Sequence, residues 1–433
     1  MSEKVILFLS ELRDDPREER FLCPDGRTVS GVQTNEAPVR YLLRRWPSVS
    51  EILCIVTPSA RASAWARFAD AIRRTAPAVA LTEIPFAEEE DFSAAPLERI
   101  LARFSPGDAL LLETTGGLRN TVMYLLLLSR VLSYAGISTA GAVYANYARR
   151  KIEDVSGSFR LFDLVNGMQE LTAFGSVQTL RKSYDGAQQD EKISALLTAA
   201  ERLQEAILLC RTGSLDPLMK QFSAALTDAE GCSDSLMRQL LPAFQEKFGG
   251  KLDTPGLIRW CVRNNLLQQA LTIYKEKLPE YLLREREDLV RIAPDAPPPE
   301  NRKNYQNEWE ARFDEHLLKL GRNLRTSYYG YDPDRTVSER QDYVVTTLEH
   351  LEELLPHSYF HVCCSVMRFR SFLMDYVYLR ALRNMVNHAN DERTESQAQV
   401  LRYLESQCYR PPESLTAQEV RVFLLHSLEK LKA

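Results

Sequence analysis

LLLETTGGLRNTVMYLLLLSR, residues 110–130, reads as three pieces of local structure in direct succession. A continuous apolar run ends at Glu113. Thr114, Thr115, Gly116 and Gly117 then form a tight turn, and an apolar helical stretch begins near Leu118. A strand with no polar alternation is buried on both faces, as in a parallel sheet covered by helices on either side. VILFLS (5–10), EILCIVTPS (51–59) and AGAVYANYA (140–148) share this character. Helical stretches such as ASAWARFADAIRRTA (62–76) lie between them, and NTVMYLLLLSRVLSYAG (120–136) is stopped by Gly136. This alternation predicts a parallel, doubly wound sheet with its ligand site at the carboxyl ends of the strands.

From about residue 187 the pattern turns helical. EKISALLTAAERLQEAILLC (191–210), LIRWCVRNNLLQQALTIYKEKL (257–278) and VCCSVMRFRSFLMDYVYLRALRNMV (362–386) all space apolar residues at three and four. APDAPPPE (293–300) cannot continue a helix and marks a linker or long loop. The expected organisation is a sheet domain over 1–180, connecting helices over 181–300 and a helical domain over 301–433.

A chain of 433 residues exceeds one ordinary core. Its formal net charge of −5 argues against permanent residence on nucleic acid, while leaving room for transient RNA contact through a local patch. The start, MSEKVILFLSELRDD, has too short an apolar run for a secretory signal. The run MYLLLL is cut by Arg130 far short of a membrane span, so a cytoplasmic protein with no membrane partner is expected. The eight cysteines show no CxxC or zinc spacing and read as buried free thiols. No HExxH, GxSxG or Walker A motif is present, and no metal or cofactor is expected.

The strand–turn–helix unit carries its own chemistry. Glycines permit close backbone approach, and the first N–H groups of the helix point outward at the positive end of its dipole, where phosphates bind well. Thr114 and Thr115 can donate to phosphate or ribose. Arg119 adds a charge at a position the dipole disfavours, a conflict that a shared anion would resolve. A plain turn, with Arg119 paired to Glu113 or another carboxylate, fits the same residues. Ser10 after the first strand, and Thr57 and Ser59 after the second, bring small hydroxyl residues to the same rim.

A second element is Arg383-Asn384-Met385-Val386-Asn387-His388. Cutting RNA without a metal needs a base for the 2′-hydroxyl, an acid for the leaving 5′-oxygen and a cation for the phosphate. Histidine suits either proton role, and arginine grips phosphate. One Arg–His pair supplies too few groups; two copies across a two-fold axis supply enough, so the chemistry predicts a homodimer. Five positions apart on an ideal helix the two side chains diverge. Either the helix breaks near Asn384 or the pair acts from a helix end. Arg368, Arg370, Arg380 and Arg393 are candidates for a basic surface. An ordinary helix end capped by asparagines, with a solvated arginine face, also fits.

Taken together and in this order, the two elements resemble the CARF–HEPN effector ribonucleases of type III CRISPR systems, the Csm/Csx group. ETTGGLR (113–119) is similar to that family's acidic-x-Thr-His/Gly-Gly-x-Arg signature. LIRWCVRNNLLQQALTIYKEKLPEYL (257–282) resembles the helix that begins the effector region in one branch. Arg383, Asn384 and His388 match the family's Arg–polar–His pattern. Gly116 stands where many relatives have His, and Glu113 where Asp is more usual.

The resemblance implies a Rossmann-like α/β sensor domain followed by an all-α effector domain. It implies a cyclic oligoadenylate activator held by Thr114, Thr115, Gly116, Gly117, Leu118 and Arg119 with help from Ser10, Thr57 and Ser59. The Thr-Gly-Gly-x-Arg form favours the tetra- over the hexa-adenylate ring. Arg383, Asn384 and His388 would cut single-stranded RNA in antiviral defence, leaving 2′,3′-cyclic phosphate ends. Two other readings stay open: a ligand-sensing regulator with a silent helical domain, and a sensor that degrades its own ring.

Overall fold

The computed structural model describes residues 2–87, 94–117, 119–184, 190–247, 252–300, 302–321, 342–387 and 395–432. They fall into two compact units, Met1–Val165 and Asn166–Ala433, and the division lies within the helix Ser156–Phe174.

The first unit is a mixed α/β sheet. Its strands are β1 (Glu3–Phe8), β2 (Glu19–Leu22), β3 (Thr28–Gly31), β4 (Val49–Val56), β5 (Ala80–Pro85), β6 (Ala109–Glu113), β7 (Ser138–Asn146) and β8 (Lys151–Asp154), in the order β3-β2-β8-β7-β6-β1-β4-β5. Strands β5, β4, β1, β6 and β7 run parallel to one another, as expected. Among the described residues, antiparallel pairing in this sheet enters only between β7 and β8 and between β2 and β3.

Residue parity along each central strand sorts its side chains into two cores. Val5, Leu7, Ile52, Cys54 and Leu111 face one core under the helices Glu36–Arg45 and Ala66–Thr75. Ile6, Phe8, Leu53, Ile55, Leu110 and Leu112 face the other, against Tyr124, Leu125, Leu128 and Leu132 of the helix Arg119–Tyr134. Burial on both faces is why these strands read as unbroken apolar runs.

Strands β2, β3, β5 and β8 escape the sequence pattern. Three of them span only four residues, and β5 lies at the sheet edge with mixed polarity. The run EILCIVTPS also ends sooner than its composition suggests. Thr57 caps a helical start at Pro58–Ala60, accepting from the Ala60 N–H at 3.2 Å, and a π-type turn Arg61–Trp65 leads into the helix Ala66–Thr75.

The second unit is helical. Its longest described helices are Glu191–Leu208, Leu267–Glu285 and Val366–Asn387, with one short antiparallel pair, Val290–Ile292 with Phe360–Val362. The proline-rich loop 293–300 is pinned to this unit: Ala296 O accepts from Arg312, and the Glu300 N–H donates to Glu315 at 2.8 Å. All eight cysteines are free, but only Cys23, Cys54, Cys232 and Cys261 are buried; Cys363 and Cys408 are exposed, contrary to expectation. No helix among the described residues is long and apolar enough to cross a membrane.

Candidate functional site

From β1 the chain steps outward to β4 and β5 on one side, then returns to place β6 and β7 on the other. The crevice above β1 and β6 is therefore the topological switch point of the sheet, where ligands of such folds bind. Ser10 and the turn 114–117 both emerge there. They touch, for the Gly117 N–H donates to Ser10 Oγ at 3.1 Å. Thr57 and Ser59 follow the adjacent β4, their hydroxyls 3.0 Å apart.

Beneath the turn lies a network the sequence did not announce. Asn35, fully buried, donates from Nδ2 to Phe8 O at 2.9 Å and to Glu113 Oε2. Its Oδ1 accepts from the Ser10 N–H at 2.9 Å and from Gln33 Nε2 at 3.0 Å. Glu113 is 0% exposed, and its other oxygen accepts from the Thr115 N–H at 2.7 Å. Burial pushes its carboxyl up to about 7, against hydrogen bonds from Thr115 and Asn35 that pull it down.

This network dictates the glycines. A Cβ at Gly116 would lie 2.1 Å from Phe8 O and 2.3 Å from Asn35 Nδ2. A side chain at position 116 therefore has no room. Gly117 adopts φ +87°, and a Cβ there would meet Thr121 Oγ1 at 2.5 Å. The two threonines brace the sheet. Thr114 Oγ1 donates to Val143 O at 2.9 Å, and Thr115 Oγ1 accepts from the Ala145 N–H at 2.7 Å while its own proton serves the Glu113 carboxylate. The helix Arg119–Tyr134 starts directly after, aiming its dipole at the crevice. Leu118 and the side chain of Arg119 lie outside the described residues.

In the second unit, the helix Val366–Asn387 runs unbroken through Asn384. Its described part extends to Asn387, and His388 lies outside the described residues together with Arg393. Of the two geometries open to the Arg–His pair, a break near Asn384 is excluded. The Arg383 guanidinium donates to Glu276 Oε1 at 2.8 Å, and one Nη comes within 3.5 Å of Asn384 Oδ1. Its Nε is buried and has no partner among the described residues.

The other arginines of this helix are engaged with neighbouring groups. Arg380 pairs with Asp314, which Lys319 and Tyr305 also hold at 2.5 Å each, and the two cations keep that carboxyl far below its ordinary range despite burial. Arg368 donates to Lys430 O at 2.9 Å, and Arg370 to Leu348 O and Tyr403 Oη. Each braces its helix against a neighbour. Glu276 was missed because its partner lies 107 residues away, beyond any local motif.

No family model matches this sequence, and no curated protein does. Among solved structures, the chain is similar to Enterococcus italicus Csm6 bound to cyclic hexa-2′-fluoro-hexa-dAMP, at 13% identity and a TM-score of 0.39 over 100% of this chain and 95% of that one.

Proposed function

We propose that this chain is an endoribonuclease switched on by a cyclic oligoadenylate, acting on single-stranded RNA in type III CRISPR antiviral defence without a metal. The observation that carries the reading is the position of the ETTGGLR turn. A motif similar to a ring-adenylate signature sits at the switch point, with glycines that close packing requires and a helix N-terminus behind them. Thr115, Gly116, Gly117, Leu118 and Arg119 hold the ring with Ser10, Thr57 and Ser59. Thr114 acts from below as a brace.

A two-fold symmetric ring calls for a two-fold symmetric protein. The helix leaving the turn exposes Met123 (66%), Leu127 (63%) and Tyr134 (97%). Leu161 and Phe162 lie beside it, tied in by the Arg130–Asp163 pair at 2.8 Å and by Arg130 over the Phe162 ring. An apolar stripe whose neighbouring Arg130 is already paired can meet its own copy across an axis without like-charge repulsion from that group.

Residues 1–180 sense the ring, 181–300 connect, and 301–433 supply the nuclease, with two Arg383–Asn384–His388 sets forming one composite site. The ring activates by binding one arrangement of the dimer better than the other. The test is cleavage of a fluorescent single-stranded RNA in EDTA with cyclic tri-, tetra- and hexa-adenylate. Cleavage is expected with the tetra-adenylate, giving 2′,3′-cyclic phosphate ends; activity abolished by EDTA contradicts the mechanism.

A further inference from the structure

We infer that Glu276 is the positioning residue for Arg383, holding one arm of its guanidinium so that the group keeps a fixed orientation towards the RNA phosphate. This rests on the ribonuclease reading above. The helix Leu267–Glu285 is fixed against Val366–Asn387 by Tyr376, whose hydroxyl donates to Lys275 O at 2.8 Å and whose ring stacks on Tyr274. Glu276 is therefore placed by packing, one residue from that pin.

Its carboxylate is anchored without help from Arg383. Oε2 accepts from Thr212 Oγ1 at 2.6 Å, and the Glu276 carbonyl accepts from Asn307 Nδ2 at 3.0 Å. Glu276 and Thr212 are each 2% exposed. Only Oε1 turns to Arg383. A carboxylate held on one side by a buried hydroxyl presents a fixed point to the cation on its other side.

Arg380, one turn earlier, shows what a purely structural arginine looks like here. Its partner Asp314 is shared with Lys319 and Tyr305, so that charge is locked inside a closed cluster. Arg383 instead meets a single carboxylate on one arm of its guanidinium, five positions before the motif histidine in sequence. Because Glu276 neutralises Arg383, the pair offers a directed donor rather than net positive charge. Glu276 thus governs the reacting geometry more than the attraction of RNA.

Steady-state cleavage of single-stranded RNA at saturating cyclic tetra-adenylate tests this. Glu276→Gln is expected to lower kcat by about 10- to 100-fold, the range found for outer partners of metal ligands. KM is expected to stay unchanged or fall, and ring affinity to stay unchanged. In an Arg383→Ala background, Glu276→Gln should cause no further loss. Thr212→Val should show the same split on a smaller scale, and it carries the test if Glu276→Gln does not fold by circular dichroism. A wild-type kcat in these variants, a raised KM at constant kcat, or losses that multiply with Arg383→Ala would overturn the inference. Arg383→Ala and His388→Ala are run alongside. If both cleave normally, the ribonuclease reading itself fails; if both are dead while Glu276→Gln is active, only the positioning role fails.

Discussion

Each candidate site is organised around a buried carboxylate, and the two carboxylates are used in opposite ways. Glu113 is held by neutral groups, the Asn35 amide and the Thr115 N–H, and it shapes a turn of backbone. Glu276 faces a cation and aims a side chain. The first arrangement leaves a carboxyl that titrates near neutrality, whereas the second locks two charges together. A buried carboxylate can shape a turn of backbone from below, or it can fix the direction of an arginine.

The sharpest way to break this contrast is Arg383→Ala. Cleavage should fall by about 10³-fold, as when a main stabiliser of transition-state charge is lost. Removing one partner of a buried pair should also cost about 3 kcal/mol, read from denaturant melts. Arg383→Ala/Glu276→Gln should regain stability without regaining cleavage. Equal stability of the two variants would mean that Glu276 is not strained when left alone.

The Glu113 side is tested by pH. Its folded carboxyl lies at about 7 against an ordinary 4.5, so the unfolded chain ionises first as pH rises. Between those values the native state binds the extra proton, and stability must fall with rising pH, by about 3 kcal/mol in total. Thermal melts of wild type and Glu113→Gln over this window should differ by that slope; parallel curves would place the ionisation elsewhere.

Gly116→Ala is a smaller perturbation of the same turn. The added Cβ would press on Phe8 O and Asn35, costing about 1–3 kcal/mol and weakening cyclic adenylate binding by calorimetry. Smallest in its effect on the fold is Leu127→Asp, on the exposed stripe. It should leave monomer stability within about 0.5 kcal/mol while shifting dimer to monomer in sedimentation.

These positions also show which parts of the molecule were legible beforehand. The parallel strands were, because burial on both faces writes an unbroken apolar run into Val5–Phe8 and Leu110–Leu112. The Gly116–Gly117 turn was visible because its requirement is local. Asn35 and Gln33 were not, since nothing around them marks them as the floor of a site formed by β1 and β6. Glu276 was hidden for the same reason, as long-range charge pairing leaves no spacing to read. The partners of the arginines on the Val366–Asn387 helix were not legible, because sequence shows charges but not the distant carbonyls and carboxylates they bond.

The central claim is that ring binding at the β1–β6 crevice switches on cleavage at Arg383. The most direct measurement is the rate of single-stranded RNA cleavage in EDTA as cyclic tetra-adenylate is titrated into wild type and Arg383→Ala. A saturable rise in the wild type, and a flat baseline in a variant that still binds the ring, is the predicted result. Cleavage independent of the ring, or a variant that responds like the wild type, would contradict the account.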